Sequence, residues 1–167
     1  MGYCRQSLAG GDVANNADNH VVRDVTLVIW TTPPSRAALA AALEVVKPEK
    51  VIVFAVAPGT DDLKVFLERL AGLVKFVRNQ RAGQTSLAEL AAATAQTESA
   101  VRLGLEWLAQ RGQVRVSESG GQLTLTTGGA CDEQVAQMAA VQLSSNLEET
   151  AAFRQFFQKA DLKAFFG

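Results

Sequence analysis

The chain has 167 residues, 48% of them apolar, and a formal charge of −1. That is enough to bury the core of one ordinary domain or two small ones, which excludes a wholly disordered chain. With no overall basic excess, any contact with nucleic acid has to come from a local patch. The two cysteines, Cys4 and Cys131, lie near opposite ends and suit a reduced cytoplasmic protein better than a disulfide scaffold. No apolar run approaches the ~20 residues that span a bilayer, and the first residues carry no apolar signal-peptide core. Neither membrane insertion nor secretion is expected.

Residues 1–20 are rich in Gly, Asn, Asp and Ala without periodicity and read as a tail. Order is expected from Val21. Val25–Trp30 and Val51–Ala57 are continuous apolar runs, the pattern of strands covered on both faces. Between them, Arg36–Val46 is rich in Ala and Leu, entered through Pro33-Pro34-Ser35 and stopped before Pro48. Ser35 is the expected N-cap. Strand, helix and strand at this spacing predict a Rossmann-like βαβ unit over residues 21–60, with a parallel pair and a right-handed crossover.

A unit over residues 61–130 follows. Asp61–Arg81 carries Leu63, Phe66, Leu67, Leu70, Leu73, Val74 and Val77 on a helical stripe. Acids at its start and cations at its end complement the helix dipole. Thr85–Thr126 then reads as a winged helix-turn-helix. Ser86–Ala92 is a first helix, with Ser86 and Glu89 at capping-box spacing. Thr97–Gln110 is the second, closed by Arg111-Gly112. Val114, Val116, Leu123 and Leu125 alternate as in a hairpin turning at Gly120-Gly121. Residues 131–167 form a long amphipathic helix with an aromatic tail; Val135, Met138, Val141 and Leu147 are assigned to its buried face.

Groove-entering helices offer several cationic or amide side chains to DNA. Here Thr85–Thr126 holds three arginines, Arg102, Arg111 and Arg115, against Glu89, Glu98, Glu106 and Glu118. The unit therefore reads as a docking or structural module ahead of a sequence reader. A winged-helix transcriptional regulator is the alternative. Lys75, Arg78 and Arg81 form the other cationic cluster, a candidate backbone contact or partner contact whose simpler role is to complete a helix C-terminus.

Catalytic constellations are missing. His20, the single histidine, lies in the tail, so His-based metal sites and Ser-His or Cys-His pairs are not expected. Asp61-Asp62 reads as a dipole complement before a metal site. Thr31-Thr32-Pro33-Pro34-Ser35 occupies a strand exit where α/β ligands can sit, yet its prolines suit a rigid connection. No phosphate-cradling glycine motif occurs. Trp107 is expected in the core, and Trp30 in the core or on a contact surface.

The runs LVIWTTPPSRAALAAALEVVKPEKVIVFAV and FLERLAGLVKFVRNQRAGQTSLAELAAATAQTESAVRLGLEWLAQRGQVRV, followed by LEETAAFRQFF, resemble the C-terminal accessory domain of the RecJ family. Those proteins are single-strand-specific DNA exonucleases of the DHH class. The resemblance covers roughly Val21 to Phe166, with TTPPS and the winged helix as its most specific parts. It implies a non-catalytic accessory role in recombination and repair through protein contacts, with single-strand-binding protein or a helicase as candidate partners and weak DNA backbone contact at most. The family's DHH triplet and its Mn²⁺ or Mg²⁺ ligands have no counterpart here. No cofactor, small-molecule substrate or enzymatic activity is therefore expected of this chain alone.

Overall fold

The computed structural model describes residues 25–161 and Phe165. The expected tail, Cys4, His20 and most of the aromatic terminus lie outside these residues. The fold is mixed α/β: a two-stranded parallel sheet, a three-stranded antiparallel sheet and five helices.

β1 (Thr26–Thr31) and β2 (Lys50–Val56) pair in parallel, joined by α1 (Arg36–Val46). The Ser35 hydroxyl accepts from the Ala38 N–H at 3.1 Å, satisfying a donor the first turn leaves open. α1 ends at Lys47 in the left-handed conformation, and Pro48 prevents continuation. Thr32 is fully buried, its N–H donating to the Val56 carbonyl at 3.0 Å. The sheet departs from the expectation of burial on both faces. Leu27, Ile29, Val51 and Val53 are half-buried, whereas Val28, Trp30, Ile52, Phe54 and Val56 are exposed. Among the described residues, then, the apolar runs form a sheet with one exposed face.

α2 (Leu63–Gln80) begins at Asp62, whose carboxylate accepts from the Val65 N–H. Of the predicted stripe it buries Phe66, Leu70, Val74 and Val77, with Leu63, Leu67 and Leu73 half-buried against the core. β3 (Gln84–Ser86), α3 (Leu87–Thr94), α4 (Glu98–Gln110), β4 (Arg115–Ser119) and β5 (Gln122–Thr126) follow. The sheet order is β3-β5-β4, antiparallel throughout. The α3 start departs from a full capping box: Ser86 caps the Glu89 N–H, but the Glu89 carboxylate takes the Thr85 hydroxyl at 2.8 Å. α4 ends as predicted. Gly112 is left-handed, with Gly112 donating to Ala109 and Gln113 to Leu108, the paired closure that satisfies the last carbonyls. Gly120 and Gly121 both have positive φ and link Ser119 to Gln122, the two-residue turn that matches strand twist.

The core joins α2, α3, α4 and the hairpin, with Val114, Leu123 and Leu125 almost fully buried. Trp107 packs against this core half-buried, not inside it. α5 (Glu133–Lys159), capped by Asp132, supplies Leu143 and Leu147. Its buried face is Ala136, Ala139, Leu143, Leu147, Thr150, Arg154 and Phe157, with Met138 and Val141 exposed. Of the predicted face Leu147 is buried and Val135 half-buried, while Met138 and Val141 fall outside it for a geometric reason. At about 100° per residue, steps of three carry Val135, Met138 and Val141 progressively round the helix, whereas mixed steps of three and four hold one line.

Candidate interaction site

The cations singled out in the sequence scatter over several elements, and most have internal partners. Arg81 faces Glu89 at 3.4 Å, Arg102 faces Glu118 at 3.0 Å, and Arg111 faces Glu133 at 2.9 Å. Arg78 donates to the Thr127 hydroxyl at 2.6 Å. Arg111 also lies over the Trp107 ring. The Arg102 guanidinium is held above its ordinary value by its hydrogen bond to Glu118 and by that carboxylate's charge. Lys75 and Arg115 are exposed. Lys75 and Arg78 do adjoin on α2 and line one open cleft with Asn79 and Gln113; Arg102 and Arg115 lie on other elements.

The exposed strip of α4 consists of Glu98, Ser99, Arg102 and Glu106, more acidic than basic. α4 also packs along α5. Thr97 and Ser99 bond to Asn146, while Arg111 at the far end of α4 meets Glu133. The two helices therefore run antiparallel, and α5 takes up surface that α4 would otherwise present.

The acidic pair at the start of α2 has two separate structural tasks. Asp62 caps the helix, as a dipole complement should. Asp61 instead pairs with the Arg154 guanidinium, 93 residues away, a partnership the sequence reading missed. Arg154 also donates to the Ala95 carbonyl, and the Gln96 amide reaches Asp61 at 2.8 Å and the Thr60 carbonyl at 2.9 Å. The Thr60 hydroxyl donates to the Thr94 carbonyl at 2.9 Å. Burial pushes the Arg154 guanidinium down from its ordinary value, and the Asp61 charge opposes that. The missed signal was phase: Arg154 continues the line of Leu143, Leu147 and Thr150 towards Phe157.

At the TTPPS exit, Thr32 bonds to Val56 and Ser35 caps α1, so both hydroxyls serve the connection. Among the described residues no three of His, Cys, Asp or Glu gather as a metal-ligating group, and no helix is long and apolar enough to cross a membrane. Apolar surface is exposed in three places among the described residues. The bare sheet face is one patch. A cleft of about 540 Å³ beside Leu63, Leu67, Ala71 and Trp107 is another. The outer side of α5 around Met138 and Val141 is a third.

Comparison with protein families, with curated proteins and with solved structures finds no match to this chain.

Proposed function

We propose that this chain is a non-catalytic docking module, built on a winged helix, that accompanies a RecJ-like single-strand DNA exonuclease in recombination and repair. The observation that carries the docking part is the state of the cations. Arg81, Arg102 and Arg111 each face a glutamate at the surface, which offsets their charge locally without burying it, while large apolar side chains stand exposed. Phosphate neutralisation dominates nucleic-acid affinity, and apolar anchors dominate protein interfaces. The order α2, β3, α3, α4, β4, β5 with its β3-β5-β4 sheet supports the winged-helix reading. The exonuclease association rests on the resemblance of the segment order. In this reading Mn²⁺ or Mg²⁺ belongs to the exonuclease core, and partners include single-strand-binding protein or a helicase.

The test uses the purified chain as bait in cell extract, with mass spectrometry as the readout. Recovery of a DHH exonuclease, or of replication and repair proteins, supports the proposal. Two results overturn it: Mn²⁺-dependent phosphodiester cleavage by the chain itself, or tight duplex binding that collapses when Arg102 or Arg111 is neutralised. The latter would establish the transcriptional-regulator reading instead.

A further inference from the structure

We infer that the bare face of the β1–β2 sheet is a self-association surface, occupied in solution by the same face of a second copy of this chain. This goes beyond the docking role proposed above and stands independently of any exonuclease.

The face is built by alternation. Side chains of a strand point to opposite sides in turn, and register sets Val28 beside Ile52. Trp30 and Phe54 lie alongside each other with ring centroids 4.9 Å apart. The exposures are high for residues of this size: Trp30 61%, Phe54 56%, Val28 51%, Val56 46% and Ile52 38%. Among the described residues no third strand joins this sheet. Parallel strands are found almost only where both faces are covered, so a parallel pair with five large apolar groups in water is an incomplete layer.

Area and charge argue for a second copy as the missing cover. With aromatic side chains worth about 200 Å² each and aliphatic ones less, these exposures leave on the order of 500 Å² of apolar surface. Two such faces together remove about 1,000 Å², the lower bound for a specific interface. The five residues carry no charge, so the surface contains nothing for an oppositely charged partner to read. It is self-complementary instead, as a two-fold interface requires. Among the described residues, the charged one in line with the face is Lys50, at the amino end of β2. A two-fold axis perpendicular to the strands sets the two sheets antiparallel, with Lys50 at opposite corners, so no like charges meet. Sheets stacked this way lie ~10 Å apart with their side chains interdigitated.

The experiment is sedimentation equilibrium on the full chain, paired with Trp30 fluorescence in a Trp107→Phe background that leaves Trp30 as the reporter. The expected result is a dimer at about 100 μM that dissociates on dilution towards 0.1 μM, with Trp30 emission moving to longer wavelength in step. Val28→Lys inserts two like charges into the centre of the interface and raises the dissociation constant at least about 10-fold. Val28 is exposed, so the monomer fold survives, as circular dichroism would verify. Met138→Lys on the outer side of α5 leaves the equilibrium unchanged. A monomer at about 100 μM overturns the inference. If its Trp30 emission is also blue-shifted, residues 1–24 of the same chain are the cover. A dimer that yields to Met138→Lys but not to Val28→Lys overturns it too, moving the interface to α5.

Discussion

Arg154 sits on the apolar line of α5 with 3% of its side chain exposed, and it keeps its charge because Asp61 and the Ala95 carbonyl meet it there. The two partners are not equivalent. Asp61 retains 25% of its side-chain exposure, so water can take over part of its solvation, whereas an unpaired Arg154 would be stranded. The arginine, once removed, leaves a cavity along α5 and a carboxylate facing vacated space. We therefore expect Arg154→Ala to lower unfolding free energy by about 3 kcal/mol, read from urea denaturation at unchanged slope. Asp61→Asn should cost less, about 1–2 kcal/mol, because the amide oxygen still accepts from the guanidinium. Equal losses from the two variants would contradict this asymmetry. A second residue-scale test concerns Gly104 on α4. A Cβ there would come within 2.5 Å of Leu70 Cδ2 and 2.9 Å of Phe66 Cε1, both on fully buried side chains. Alanine gains helix propensity, but a filled core cannot yield that space. Gly104→Ala should destabilise by about 1–2 kcal/mol, whereas the same change at Gly72, with nothing within 4 Å, should stabilise α2 by up to about 1 kcal/mol.

The turn from α3 to α4 shows where element-level rules are obeyed and where they are strained. Ala95 closes α3 in the left-handed conformation at φ 54°, its N–H reaching the Ala91 and Ala92 carbonyls. Glycine is the ordinary residue for such a cap. Ala95→Gly should raise stability by up to about 1 kcal/mol, seen as a higher melting temperature, and should leave the Arg154 contact intact because that contact uses backbone. A fall in melting temperature would mean the methyl group packs usefully. Other local signals were readable in advance: Ser35 and Ser86 cap helices as their sequence positions suggested, and Gly120-Gly121 forms the hairpin turn. Non-local ones were not. β3 is three polar-flanked residues that exist as a strand through pairing with β5, about 40 positions on. The first half of the buried face of α5 was missed because Ala136 and Ala139 carry it there, and alanine gives a weak periodic signal. At the candidate site, the neighbouring placement of Lys75 and Arg78 followed from helical spacing alone. The pairing of Arg102 with Glu118 and of Arg111 with Glu133 spans 16 and 22 positions, so a count of cations overstated how many were free.

For the whole molecule, near-zero net charge and internally paired arginines leave little long-range field to steer a polyanion. Exposed apolar surface is spread over the bare sheet, the cleft beside Trp107 and the outer side of α5. Electrostatic and apolar docking respond differently to salt. A protein neutralising six or more phosphates loses roughly 1,000-fold in affinity between 50 and 200 mM salt. Burial of apolar area is hardly screened over that range, since screening acts on charges that stay exposed to solvent. If the docking function proposed above holds, binding of this chain to a protein partner should accordingly change less than about 3-fold between those concentrations, measured by calorimetry or by anisotropy of a labelled chain. Lys75→Ala and Arg115→Ala, which remove exposed cations, should leave that affinity within the same margin, whereas a charge placed in the partner's apolar contact should weaken it by at least about 10-fold. A steep salt dependence abolished by Lys75→Ala would instead make the Lys75–Arg78 cluster on α2 the binding surface, and phosphate or carboxylate the group it holds.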